Sequence, residues 1–307
     1  MPTLTRVPPP ARAAILAWYA ASGRALAFRR TRDPFAVLVS ESMAQQTQAA
    51  RAAEYWERFM ARFPTVETLA AATPADVLRA WQGLGYDRRA LALWRTARMV
   101  VEQMDGRIPS AVTELEKLPG IGPYTARAVA AIAFGMAVGA VDVNIRRVLG
   151  RIAAADPATP DAPAMQRLAD ESVPIDRAAD WTHAVMDIGA MLCRPRAPRC
   201  DACPARPWCR YASAASGRSK HEDAPAMPRA GRRPAMPFAS TNRWLRGRIL
   251  DRLRSAPDGE WVPLDSSIGV HDLGRVLAAA NAMAADGVVE LGPQEQGAGI
   301  RARLPLA

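Results

Sequence analysis

The chain has 307 residues, half of them apolar, enough for the cores of two or three domains. No stretch of about 18 residues is apolar without a charge, which excludes a membrane-spanning helix. Residues 13–21, AAILAWYAA, are a short run closely followed by Arg24 with no small-residue cleavage site, so they read as an amphipathic helix and not as a secretion signal. Forty Lys and Arg against thirty Asp and Glu give a net charge of +10, nearly all the cations being arginine. Such an excess favours a polyanionic partner. Codon bias toward Arg and Ala produces the same excess, so charge alone does not decide.

Residues 11–135 read as successive helices. Asp33-Pro34 supplies an N-cap and a first-turn proline, after which Phe35, Leu38, Val39 and Met43 recur at helical spacing. Thr47 is placed to cap QAARAAEYWERFMARF, which Pro64 closes; Thr73-Pro74 caps ADVLRAWQGLG, which Gly83 and Gly85 end. DRRALALWRTARMVVEQM follows, Ser110 caps the short AVTELEKL, and an alanine-rich helix runs to Phe134. No alternating pattern predicts a strand before residue 240. Residues 212–240, rich in Ala, Pro, Ser, Gly and Arg, read as a linker. In 241–307, WLRGRILDRLRS and HDLGRVLAAANAMAAD are helical, while GVVEL and IRARLPL pair as strands. The fold class is mainly all-α, with a small winged-helix-like α+β module at the C-terminal end.

Two stretches carry chemistry. LPGIGPYTARAV, 118–129, is a hairpin of helices with Pro119-Gly120-Ile121-Gly122 at its tip. Its glycines allow positive φ and clear the tip of side chains, so that the Gly120, Ile121 and Gly122 amides and the first amides of the next helix can face one phosphate oxygen. Ile121 plugs the tip. The competing reading is a plain helix connection with a glycine C-cap. In the second stretch all four cysteines, Cys193, Cys200, Cys203 and Cys209, fall within seventeen residues. Thiols so confined in a cytoplasmic chain can surround one compact metal centre, and their unequal gaps differ from the paired knuckles of zinc ribbons. Disulfides do not fit a chain without a secretion signal.

The hairpin resembles the helix–hairpin–helix of the DNA glycosylase superfamily that includes endonuclease III. That resemblance implies a catalytic aspartate some twenty residues on, which falls on Asp142 in VDVNIRRVLGR; Asp142 also reads as the N-cap of the helix that follows. The cysteine spacing matches the superfamily's [4Fe–4S] site. Arg194, Arg196 and Arg199 would then sit on a cluster-anchored loop as phosphate contacts. Bifunctional relatives carry a lysine where this chain has Tyr124. A phenol cannot form the Schiff base that leads to strand cleavage, so the chain should remove a base and leave the backbone intact. Lys117, seven residues earlier on the preceding helix, reads as a surface residue.

SESMAQQTQAA (40–50) and WQGLGYDRRA (81–90) look like the MutY-type adenine DNA glycosylases, which remove adenine mispaired with 8-oxoguanine or guanine. The resemblance spans residues 11–211. It implies Glu41 as catalytic acid, Gln46 and Tyr86 as wedges filling the gap left by the flipped base, and Arg29 at the DNA. Adenine leaves as a basic anion unless N7 is protonated. Glu41, inside the apolar run FAVLVSESMA, is placed to hold that proton at a raised pKa. Asp142 would face the cationic sugar, with Asn144 and Tyr124 orienting both. The implied layout is a glycosylase domain, 1–211, with a six-helix lobe at 33–140 and a cluster lobe from 8–32 and 141–211, acting as a cytoplasmic, nucleoid-associated monomer on mismatched double-stranded DNA.

The sequence departs from the family in places. Ala44 replaces a leucine, Asp87 a second tyrosine, and LAF stands for LPW. The residues after the cysteines are too few for the nudix-like domain of long family members and resemble the tail of short ones. A thymine or uracil mismatch glycosylase of the same superfamily, and a non-enzymatic iron–sulfur DNA-binding regulator, are the alternative readings.

Overall fold

A computed structural model describes residues 6–154, 161–216, 236–292 and 300–306. The chain divides into two compact units, Met1–Glu41 with Ile108–Met227, and Ser42–Arg107 with Pro228–Ala307. This partition differs from the lobe boundaries expected from the resemblance: the helix over 123–134 buries Ala131 in the core of the cysteine-bearing segment.

In the first unit, α1 (Pro9–Ser22), the start of α2 (Pro34–Ala44), α7 (Val112–Leu115), α8 (Pro123–Phe134), α9 (Val143–Ala153), α10 (Ala162–Ser172), α11 (Ala178–Met191) and α12 (Arg210–Ser216) surround a core that includes Ile15, Leu149, Met165, Trp181 and Ile188. The cap chemistry is local. Asp33 accepts the Ala36 amide at 2.7 Å, and Asp142 accepts the Asn144 and Ile145 amides at 2.9 and 2.7 Å. In the hairpin, Gly120 has φ 76°, and Ile121 is buried between the two helices while Gly120 and Gly122 stay exposed. Ala44 ends α2, and Gly135 closes α8 in the left-handed conformation at φ 67°.

The second unit holds α3 (Ala49–Arg62), α4 (Val66–Ala70), α5 (Pro74–Ala80) and α6 (Arg88–Gln103) around Phe59, Leu69, Leu78, Trp81 and Val100. The rings of Phe59 and Trp81 meet edge-on at 5.8 Å. It also holds the C-terminal module: α13 (Asn242–Ser255), β1 (Val262–Leu264), α14 (Leu273–Ala285), β2 (Glu290–Leu291) and β3 (Ile300–Arg303). The strands form an antiparallel sheet of order β1-β3-β2, Val262 and Leu291 both standing opposite Ala302; the β2–β3 pair is the one read from the sequence, and β1 adds a third strand to it.

Several local expectations change. Thr47 does not cap α3, since its hydroxyl donates to the Gln45 carbonyl and Gln48 takes the N-cap without a side-chain bond. Ser110 likewise yields to Ala111 at α7. Helix α5 stops at Ala80, before the glycines, and α4, capped by Thr65 through a reciprocal pair with Thr68, is an element the sequence reading did not assign. Of the expected linker, 212–216 continue α12 and Phe238–Ser240 form a 3₁₀ turn, while 217–235 lie outside the described residues. No described helix is long and apolar enough to cross a membrane.

Helices α9 and α11 approach so closely that a Cβ added at Gly189 of α11 would stand 2.6 Å from the Asn144 Cβ. Gly189→Ala is therefore expected to lower stability by roughly 1–3 kcal/mol, read as a reduced Tm, because backbone lies on both sides of the clash.

Candidate active site

Glu41 sits in the last turns of α2, with Leu38, Val39, Ser40, Ser42 and Met43 all buried around it, and is itself 6% exposed. Burial pushes its pKa up to about 7, and the nearby Asp142 carboxylate adds to the rise. The Tyr124 hydroxyl, donating to Glu41 Oε2 at 3.1 Å, and the charge of Arg29 pull it back only in part. Tyr124 occupies the first turn of α8, directly after the hairpin, so the rigid glycine tip fixes where this phenol lies. Burial and the neighbouring Glu41 and Asp142 charges drive the Tyr124 pKa well above 10, and the phenol stays protonated at neutral pH.

Asp142 takes the capping role read for it: it caps α9 through Oδ1, and its Oδ2 accepts the Asn144 side-chain amide at 2.9 Å. Asn144 Oδ1 in turn accepts from Arg147 at 2.8 Å, and Arg147 reaches the carbonyls of Gly189 at 2.8 Å and Cys193 at 2.7 Å. A half-buried carboxyl is thus held in one orientation by two main-chain amides and a side chain that is itself held. Arg147, and through it the cysteine segment, is a support that the sequence reading did not single out.

Arg29 lies beneath this group. Its guanidinium makes a bidentate pair with Asp187 of α11, at 2.7 and 2.8 Å, and its side chain is only 7% exposed. Asp187 is fully buried and also accepts from the Arg24 amide and Nε at 2.8 and 2.6 Å. Burial alone would raise the Asp187 pKa; the hydrogen bonds and charge of Arg29, with those of Arg24, outweigh it and hold the carboxyl below its ordinary value. Arg29 therefore acts on the site as a buried positive charge felt by Glu41, with its polar edge committed to protein. Asp187 is a second residue absent from the sequence reading, being 158 positions from its partner.

In the second unit, Gln46 and Tyr86 share an uncommon backbone: both have positive φ, 55° and 52°. Side chains beyond glycine rarely adopt this conformation, which costs about 1 kcal/mol or more and persists where surrounding contacts over-determine it. Arg89 of α6 supplies those contacts. Its guanidinium donates to the carbonyls of Ser42 and Met43 at 3.0 and 3.2 Å, to that of Gln45, and to that of Gly85 at 3.1 Å. It also lies 5.3 Å from the Tyr86 ring centre. One cation thus clamps both loops and leaves Tyr86 47% exposed and Gln46 exposed at their tips. Sequence reasoning missed Arg89; the signal was an arginine three residues past a tyrosine in a glycine-rich turn.

At the hairpin tip, the Ile121 amide is taken by the Leu118 carbonyl at 3.1 Å, so it drops out of the expected phosphate-facing set. The amides of Gly120 and Gly122 make no backbone hydrogen bond to described residues. Arg194, Arg196 and Arg199 are all exposed, on a loop held by Arg151, which donates to the carbonyls of Arg194 and Pro195 at 2.9 and 3.2 Å.

The four cysteines line one small cavity together with Arg151 and Tyr211. Among the described residues no three His, Cys, Asp or Glu side chains converge as a single metal ion requires. Sulfurs ringing a cavity fit a multi-iron centre, whose iron atoms stand between them. Burial raises the Cys203 pKa to about 11, with the other three sulfurs adding to it.

Hairpin, buried acid and capping aspartate together define the class. Residues 39–174 match the model of the HhH-GPD superfamily of base excision DNA repair proteins. The chain is similar to the solved structure of a thermostable thymine-DNA glycosylase (TM-score 0.62, 28% identity, covering 66% of this chain and 94% of that one). It also shares its fold with endonuclease III in a non-covalent DNA complex (TM-score 0.57, 21% identity, 67% and 95% covered). The adenine DNA glycosylase of Mycobacterium tuberculosis is 40% identical over 246 residues, 79% of this chain and 78% of that protein. That of Mycolicibacterium smegmatis is 38% identical over 281 residues, 90% and 91%. The chain belongs to the adenine DNA glycosylase family.

Gln46→Gly relieves the positive-φ strain and should leave stability level or raise it by up to about 1 kcal/mol in chemical denaturation, while weakening base release. Arg29→Met leaves the buried Asp187 charge with Arg24 as its remaining partner and should destabilise by about 1–3 kcal/mol; an unchanged denaturation midpoint would show that the pair does not hold the fold.

Proposed function

We propose that the protein is a monofunctional DNA glycosylase of base excision repair that hydrolyses the N-glycosidic bond of adenine lying opposite 8-oxoguanine or guanine in double-stranded DNA. The observation that carries this reading is the buried Glu41 carboxyl, with a pKa about 7, hydrogen-bonded to Tyr124 and coupled to Asp142. Glu41 holds a proton near neutral pH and can give it to adenine N7, turning a poor leaving group into a neutral one. Asp142, its orientation fixed by the α9 amides and Asn144, faces the oxocarbenium-like sugar as an anion. Tyr124 orients Glu41 and offers no amine; Lys117 is exposed and paired with Glu114 at 2.8 Å, away from imine chemistry.

Gln46 and Tyr86 fill the gap left by the flipped adenine, an extrusion costing a few kcal/mol. Gly120, Gly122 and the exposed Arg194, Arg196 and Arg199 take backbone phosphates. Cys193, Cys200, Cys203 and Cys209 hold a [4Fe–4S] cluster, which supplies a rigid cross-link under the arginine loop and no step in bond cleavage. The protein acts as a cytoplasmic, nucleoid-associated monomer. The likeness to a thymine-DNA glycosylase favours a second reading, removal of thymine or uracil opposite guanine.

The test incubates the protein with duplexes carrying A opposite 8-oxoguanine, A opposite G, T opposite G and U opposite G, then applies alkali. An alkali-dependent nick at adenine alone is expected; a nick at thymine or uracil establishes the second reading, and a nick without alkali contradicts the role of Tyr124. Single-turnover excision should fall tenfold per pH unit above about 7 as Glu41 ionises. Tyr124→Phe removes a hydrogen bond that favours the carboxylate, so this limb should move to higher pH. Since Glu41 rises from 4.5 to about 7 on folding, its ionisation opposes the fold progressively between these pH values, by about 3 kcal/mol in full. Glu41→Gln should therefore abolish excision and melt higher than the wild type at pH 8.

A further inference from the structure

The second unit contains a cavity of about 720 Å³ whose walls come from two distant parts of the chain. One wall carries Gln46 and Tyr86; the other is a face of α13, with Asn242, Arg243, Gly247 and Arg248. Six arginines but only three aspartates line it. Arg254 of α13 pairs with Asp87 at 2.6 Å in a bridge only 7% and 19% exposed, which ties α13 to the residue after Tyr86. Arg246 is neutralised by Asp286 at 2.7 Å. Arg243 differs: it has no carboxylate partner among the described residues, and its guanidinium lies 5.0 Å from the Tyr86 ring centre, that of Arg89 lying 5.3 Å from the same ring. Arg248 is half exposed beside it, sharing Asp251 at 2.5 Å.

Gly247 is a second, independent pointer. Glycine inside a helix costs about 1 kcal/mol against alanine and is usually kept for close packing. Here an added Cβ would meet nothing within 4 Å. The bare backbone faces the open cavity, which suits a close-approaching ligand that has yet to enter. By contrast α14, the helix that a helix-turn-helix module would lay in a major groove, reads LGRVLAAANAMAA and offers one arginine.

We propose that the α13 face bearing Arg243, Gly247 and Arg248 is a phosphodiester-binding wall for double-stranded DNA at the point where Gln46 and Tyr86 enter it. The C-terminal module is thereby a working part of lesion engagement. The ligand is a DNA backbone: guanidinium forks match phosphate oxygens, and the cavity that holds them is open. This assignment rests on the wedge roles proposed above.

The test uses the full chain carrying Glu41→Gln, so that no base is released, and measures binding to an undamaged and an adenine–8-oxoguanine duplex across a salt series. Arg243→Ala with Arg248→Ala should reduce the slope of log affinity against log salt by about 2 and weaken binding at least tenfold at 0.15 M salt on both duplexes. Gly247→Glu, which has room for its side chain, should weaken binding comparably at an unchanged or higher Tm. Wild-type affinity and salt slope in these variants overturn the proposal. Weakened binding in the variants with no adenine excision by the wild type retires the substrate and keeps the wall; adenine excision with unaltered variant binding does the reverse.

Discussion

The hydrogen bond from Tyr124 to a carboxyl sealed inside the end of α2 is the interaction on which the rest turns. A glutamate in water is ionised at neutral pH and has no proton to give. Enclosure among Leu38, Val39 and Met43 reverses that preference, and one phenol keeps the acid oriented without supplying a charge. The surrounding architecture serves this balance. The hairpin anchors Tyr124, the α9 cap anchors Asp142, and the Arg29–Asp187 pair sets a positive charge close enough to temper Glu41 without forming a salt bridge to it.

Such a site is held at the expense of stability. A raised carboxyl, a buried ion pair and two residues with left-handed backbone are each unfavourable alone. They persist because neighbouring elements leave them no alternative: α9 and α11 meet with only Gly189 between them and Asn144, and the arginine clamp spans both strained loops.

What the sequence made legible was local. Asp142 announced itself as a cap because capping needs only the next three amides, and the hairpin because glycine, isoleucine and glycine dictate a bare, plugged tip. Asp33 and Thr73 behaved as caps for the same reason. Thr47 and Ser110 carried the same residue chemistry yet lost to nearby geometry, the Thr47 hydroxyl finding a carbonyl two residues back. The roles of Arg29, Asp187 and Arg89 were illegible, since each is defined by partners brought from tens of residues away or more. The strain at Gln46 and Tyr86 was equally silent, because neither residue type advertises positive φ.

The arginine clamp also bears on inheritance. Arg89 grips the end of α2 and the turn after it through the main-chain oxygens of Ser42, Met43 and Gln45, which every amino acid possesses. Recognition of main chain is blind to what hangs from it. The loop can therefore exchange side chains over generations while its path in space stays the same. Drift in composition there is no measure of drift in shape.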